Sequence, residues 1–208
     1  MTSMNSICVF AGAGIPQNPS LMADAEAIGN MLAKHRLGMI YGAGQRGMMG
    51  AVAKGALDRG GHVHGIIPRF LLKQEASTLN LADPDISQLT ITKTMHGRKQ
   101  RMYDLASAFL VLPGGYGTME EMLEVITWCQ LKVHSKPVYI YNRSGFWSPM
   151  HAMFVAAHQE GFISDTQISL PRMLNTMDEV EKMMAEITRT PPPKIKTTGE
   201  TLDTLSHI

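Results

Sequence analysis

The sequence predicts an α/β fold, a doubly wound parallel sheet with helices on both faces. Three observations carry this. Short apolar runs of strand length recur at residues 6–10, 38–41, 62–67, 108–112 and 137–141. Segments with helical spacing separate them, and strands alternating with helices in this way build parallel sheets. Three of the runs end in glycine turns, Ala11-Gly12-Ala13-Gly14, Gly42-Ala43-Gly44-Gln45-Arg46-Gly47 and Pro113-Gly114-Gly115-Tyr116-Gly117. Ligands of such sheets lie outside the carboxyl ends of the strands, so these turns are expected along one edge.

In chain order, Pro19-Ser20 opens a helix with Leu21, Ala25, Ile28 and Leu32 on one side. A small-residue helix follows the second glycine turn over residues 48–58, and Pro68 stops the third strand. Residues 70–85 are the least regular part, with a short helical piece at 71–75. An extended segment at 89–93 leads to a helix opened by Met95-His96-Gly97-Arg98-Lys99, with Met102, Leu105 and Ala106 inward. Later come a helix over 147–160, stopped by Gly161, and an amphipathic helix over 177–187 capped by Thr176. Residues 1–188 form one domain in this reading. Residues 189–208, with Pro191-Pro192-Pro193 and little to bury, read as a disordered tail.

The 208 residues suffice for one sizeable core. A net charge of +1 gives no field that would attract nucleic acid or an acidic membrane. No apolar run reaches membrane-spanning length, and no positive segment precedes the first apolar run, which argues against a signal peptide. Cys8 and Cys129 read as small buried hydrophobes without a disulfide framework, so a cytoplasmic location is expected.

The chain is organised around Pro113 to Glu121. An apolar strand, a glycine turn and a helix start follow one another, and Met122, Leu123, Val125, Ile126 and Cys129 continue the helix. Free N–H groups of a first helical turn favour an anion, and Thr118 adds a hydroxyl there. Glu121 lies three residues beyond Thr118 on about the same side, a rise of roughly 4.5 Å. That matches the reach from a sugar 5′-phosphate to its anomeric carbon. The alternative is a plain helix start on which Glu120, Glu121 and Glu124 merely suit the dipole.

Other motifs point less far. The 42–47 turn fits a dinucleotide fingerprint, but the next strand runs into Ile67-Pro68-Arg69 and lacks the ribose-binding acid. His62 and His64 share a strand face and could hold a metal only with a third ligand of unknown position. Trp128, seven residues after Glu121, reads as core packing or as a base-stacking surface. Arg98 and Lys99 open a helix against its dipole, so either solvent or a specific anion must compensate them.

Two of these motifs together carry a family resemblance. Residues 113–121 resemble the PGGxGTxxE signature of the Lonely Guy (LOG) family, the cytokinin riboside 5′-monophosphate phosphoribohydrolases, and residues 95–99 resemble its second motif. The resemblance implies a Rossmann-like fold and a homodimer with the site near the subunit interface. It also implies an enzyme that cleaves AMP, or an isoprenylated adenosine monophosphate, to free base and ribose 5-phosphate. Glu121 and Arg98 match the catalytic pair. Lys99, Gly114, Gly115, Tyr116, Gly117, Thr118, Thr127 and Glu75 match substrate-contacting positions. No metal or redox cofactor is implied, and no nucleic-acid or membrane partner. Ala13 and Ala43 depart from the family pattern, and Ala43 for glycine is expected to matter little. A non-catalytic adenine-nucleotide module and a nicotinamide-dependent dehydrogenase remain the alternative classes.

Overall fold

The computed structural model describes residues 4–75 and 88–192. Its strands are β1 (Ser6–Phe10), β2 (Gly38–Tyr41), β3 (Val63–Pro68), β4 (Gln88–Thr92), β5 (Ala108–Val111), β6 (Val138–Tyr141) and β7 (Pro171–Leu174). They form one parallel sheet in the order β4-β3-β2-β1-β5-β6-β7. The chain winds outward from β1 to β4, returns to place β5 beside β1, and winds the other way. The reversal therefore falls between β1 and β5, where Ile7 is opposite Ala108 and Phe10 opposite Val111. Connections diverge at such a point and leave a crevice at the carboxyl ends.

The helices are α1 (Pro19–Lys34), α2 (Gly47–Leu57), α3 (Arg69–Glu75), α4 (Met95–Leu105), α5 (Tyr116–Gln130), α6 (Ser148–Gln159), α7 (Asp165–Ile168) and α8 (Met177–Arg189). Alternation along the strands divides the core in two. Ile7, Val9, Met39 and Leu110 pack with Ile28, Leu32, Val52 and Met184 from α1, α2 and α8. Cys8, Phe10, Ile40 and Phe109 pack with Met102, Met122 and Val125 from α4 and α5, and with Trp147 ahead of α6. Each fully buried aliphatic side chain contributes about 1.5–3 kcal/mol.

Local signals set the helix starts. Asn18 accepts from Ser20 N at 3.1 Å beside Pro19 at the first helical position. Thr94 accepts from Gly97 N at 3.0 Å. Thr176 and Glu179 cap α8 reciprocally. Buried Asp24 of α1 accepts from Tyr141 Oη at 3.0 Å and Arg143 Nη1 at 2.6 Å, which ties α1 to the end of β6.

Some expectations change. Strand β7 and helix α7 went unread. Strand β7 is a short edge strand whose Pro171 occupies the first position, where its missing N–H is tolerated. Cys8 is buried, but Cys129 is only partly so. Helix α8 runs to Arg189, and Asn5 Nδ2 donates to Thr190 O at 2.6 Å, so the ordered chain passes residue 188. Residues 193–208, the rest of the expected tail, lie outside the described residues. Among the described residues no helix is long and apolar enough to cross a membrane.

Helices α1 and α2 cross backbone to backbone. A Cβ at Gly29 would lie 2.1 Å from Val52 O. Gly29→Ala is therefore expected to destabilise the fold by about 1–3 kcal/mol, read as a lower denaturant midpoint with an unchanged slope. An unaltered midpoint would show that the crossing is looser than described.

Candidate active site

At the sheet reversal the turns after β1 and β5 interlock. Gly12 N donates to Pro113 O at 3.0 Å. A Cβ at Gly114 would meet Thr118 Oγ1 at 2.1 Å and Gly12 N at 2.9 Å, so only glycine fits. No side chain caps α5 at Gly115, and among the described residues its first-turn amides open over exposed Gly115, Tyr116 and Gly117. Tyr116 is 92% exposed, whereas Thr118 is 4% exposed beneath the turn. Exposed backbone amides at a helix start, with one covered hydroxyl beneath, are an arrangement suited to an anion.

The side chain of Arg98 crosses from α4 over the ends of β2 and β3. Its Nε donates to Ile66 O at 3.2 Å and its Nη2 to Gly42 O at 3.4 Å. A Cβ at Gly42 would lie 1.9 Å from Nη2, so that glycine makes room for the guanidinium. The guanidinium thus covers the first residue of the 42–47 turn, while Gln45, Arg46 and Gly47 line a separate cleft. Arg98 Nη2 is 4.0 Å from Glu121 Oε1, an ion pair rather than a hydrogen bond, with the two side chains 11% and 15% exposed.

Burial pushes the Glu121 carboxyl up to about 7. Arg98 opposes that rise without cancelling it; Glu120 adds to it, Lys99 opposes it and Glu124 adds to it. A carboxyl half ionised near neutrality can take a proton from water and pass it on. Lys99 Nζ donates to Glu120 Oε1 at 2.7 Å and Glu124 Oε1 at 2.9 Å. Burial works against the charge on Lys99, and these two bonds outweigh it, so its ammonium is held above the usual range.

The structure thus brings together Glu121, Arg98, Lys99 and the loop of Gly114, Gly115, Tyr116, Gly117 and Thr118. Thr127 is left out: it is exposed on another side of α5, two turns beyond Glu121. Glu75 is the last residue of α3, and its side chain lies outside the described residues. Trp128 is half-buried and packs edge-on against Tyr103, ring centroids 5.1 Å apart. His64 Nε2 is 2.7 Å from Thr90 Oγ1. Among the described residues no cluster of three or more potential metal ligands forms. Ala43 has φ +62°, the left-handed region that glycine adopts freely, so alanine there bears a conformational cost of about 1 kcal/mol after all. Sequence reading missed the carbonyls of Gly42 and Ile66 as the Arg98 seat, because backbone acceptors carry no residue signature. A cleft of about 790 Å³ between α1 and α2, near Met22 and Ala51, holds none of these groups.

Glu121 also affects stability. Its folded-state carboxyl titrates near 7 and an ordinary one near 4.5. Between those values the folded protein holds a proton that the unfolded chain has released, so stability falls as pH rises through the window. Glu121→Gln is expected to melt higher than the parent above about pH 7 and to match it near pH 4. Melting curves across that range check this, and an equal offset at every pH would contradict it.

The family model described as "Possible lysine decarboxylase" matches residues 49–184. The chain is 36% identical over 209 residues to the Arabidopsis thaliana cytokinin riboside 5′-monophosphate phosphoribohydrolase LOG7, covering 97% of this chain and 91% of that protein. It is 41% identical over 160 residues to the probable cytokinin riboside 5′-monophosphate phosphoribohydrolase LOG4 of Oryza sativa subsp. japonica, covering 77% and 67%. Among solved structures, the molybdenum cofactor carrier protein of Chlamydomonas reinhardtii superposes with a TM-score of 0.64 at 17% identity, over 90% of this chain and 99% of that one. That likeness shows the shared fold. By its relatives, its matched family model and its paired motifs, the chain belongs to the Lonely Guy (LOG) family.

Proposed function

We propose that this protein is a hydrolase of the N-glycosidic bond in cytokinin riboside 5′-monophosphates, releasing free base and ribose 5-phosphate. The names of its relatives support the reaction class. The observation that carries the assignment to residues is the buried Glu121–Arg98 pair one helical turn from the amide cradle. The cradle of Gly115, Tyr116, Gly117 and Thr118 binds the 5′-phosphate, and its binding energy positions the sugar. The anomeric carbon then faces Glu121. As the bond to the base breaks, positive charge grows on the sugar and the carboxylate stabilises it. Water adds to that carbon as the base leaves, Glu121 accepts the water's proton, and that proton passes on to the departing base nitrogen, which restores the carboxylate. Arg98 steadies negative charge on phosphate or base. Such a carboxylate contributes about 10²–10⁴-fold.

Incubation with AMP, with an N6-isoprenylated AMP and with the matching nucleosides tests this by chromatography. Free base should appear from the monophosphates and not from the nucleosides. Glu121→Gln should bind the nucleotide and turn it over at least about 100-fold more slowly. Intact nucleotide throughout would favour a binding module instead, and a Glu121→Gln protein retaining more than about a tenth of the rate would remove Glu121 from the mechanism.

The working unit in this proposal is a cytoplasmic homodimer joined through the α5 and α6 layer. Leu123 of α5 and Met153 of α6 are exposed, as are Leu131, Val133 and Phe162 nearby. Apolar surface of this kind marks an interaction face. Thr127 lies one turn from Leu123 on it, so a second copy would bring that residue into use. Leu123→Glu with Met153→Glu is expected to halve the mass seen by sedimentation. A parent already monomeric at micromolar concentration would contradict the dimer.

A further inference from the structure

Lys99 does more than its place beside Arg98 requires. Its ammonium is 13% exposed and is held by two carboxylates of the neighbouring helix, Glu120 at 2.7 Å and Glu124 at 2.9 Å. An ammonium has three donors, so two are already committed within the protein. Glu120 precedes Glu121 directly and Glu124 follows one turn later, which places two negative charges around the buried carboxyl. Lys99, Glu121 and Glu124 line one narrow cavity of about 10 Å³ walled by Phe10, Phe109 and Trp128, while the Glu120 side chain is 55% exposed and acts through more solvent.

We propose that Lys99 is a positioning residue: by clamping Glu120 and Glu124 it draws their charge away from the neighbouring Glu121 carboxyl, and so acts on the reaction through Glu121. The role in catalysis rests on the assignment of Glu121 as the reacting carboxylate. Among the described residues, the charged or titratable groups facing Glu121 are few. Helix α4 supplies Arg98 and Lys99, and α5 supplies Glu120 and Glu124. Strand β1 supplies Cys8, whose thiol burial keeps neutral. Tyr103 of α4 lines the same cavity and is neutral, its hydroxyl donating to Val133 O at 3.2 Å. Arg98 is the larger opposing charge on Glu121 and is tied to strand-end carbonyls, whereas Lys99 is the cation bonded to the two neighbouring acids themselves. Without the ammonium, only Arg98 would oppose the two acids and Glu121 ionisation would move to higher pH.

The test follows the Glu121 carboxyl directly, in the substrate-free full chain, by carbon NMR of labelled glutamate side chains. The signal is assigned by its loss in Glu121→Gln. The parent should titrate near 7. Lys99→Met should titrate about one pH unit or more higher. Lys99→Arg should stay close to the parent, and Lys99→Met with Glu120→Gln and Glu124→Gln should return toward it. Because this readout needs no turnover, a protein that fails to hydrolyse nucleotides still tests the clamp. In turnover at neutral pH, Lys99→Met should lose about tenfold in kcat, recover it at higher pH, and keep the KM for the monophosphate. If Lys99→Met does not fold, Glu124→Gln alone should lower the Glu121 midpoint. An unmoved midpoint in either variant overturns the proposal. A KM raised about tenfold at every pH in Lys99→Met, with the midpoint in place, would make Lys99 a substrate contact instead.

Discussion

The site depends on keeping one carboxyl group out of water where the sheet reverses. Glu121 stands in the second turn of α5, which follows the interlocked turns after β1 and β5. Burial makes its charge costly, and the Arg98 guanidinium at 4.0 Å returns only part of that cost. The imbalance leaves the group titrating near neutrality. A fully compensated ion pair would leave Glu121 a weak base, and a carboxyl with no cation nearby would remain protonated. The fold serves this balance. The parallel sheet fixes where α4 and α5 begin, and the carbonyls of Ile66 and Gly42 hold Arg98 at the distance that compensates without neutralising.

Much of this was legible in the sequence, and the limits have physical causes. The five central strands and the long helices follow from apolar periodicity, which is local. The anion cradle follows from glycines between a strand and a helix. Glu121 was visible through its spacing from Thr118, and Arg98 through its unfavourable position at a helix start. What escaped depended on contacts between distant segments. The fit of Gly12 against Gly114, and of Arg98 against Gly42, joins residues far apart in the chain. Glu120 and Glu124 looked like acids suited to the α5 dipole, and only the approach of α4 makes them partners of Lys99. Strand β7 carries too few residues for a pattern, and the edge of the sheet tolerates its proline.

The family model that matches the chain is described as a possible lysine decarboxylase. The geometry here favours another chemistry. Decarboxylation of an amino acid on a pyridoxal cofactor needs a lysine free to form a Schiff base. Lys99, the lysine of this cluster, is bound to two carboxylates and held in its charged form. A buried carboxyl beside an arginine and an exposed turn of backbone amides suits displacement at a sugar carbon, where charge develops within reach of the carboxylate.

The central claim is that the ionised form of buried Glu121 drives cleavage, and the pH dependence of kcat/KM for a riboside monophosphate tests it most directly. The free-enzyme limb should have its midpoint near 7, with the rate falling about tenfold for each pH unit below it. A profile that stays flat down to about pH 5, with the protein still folded, would contradict the account.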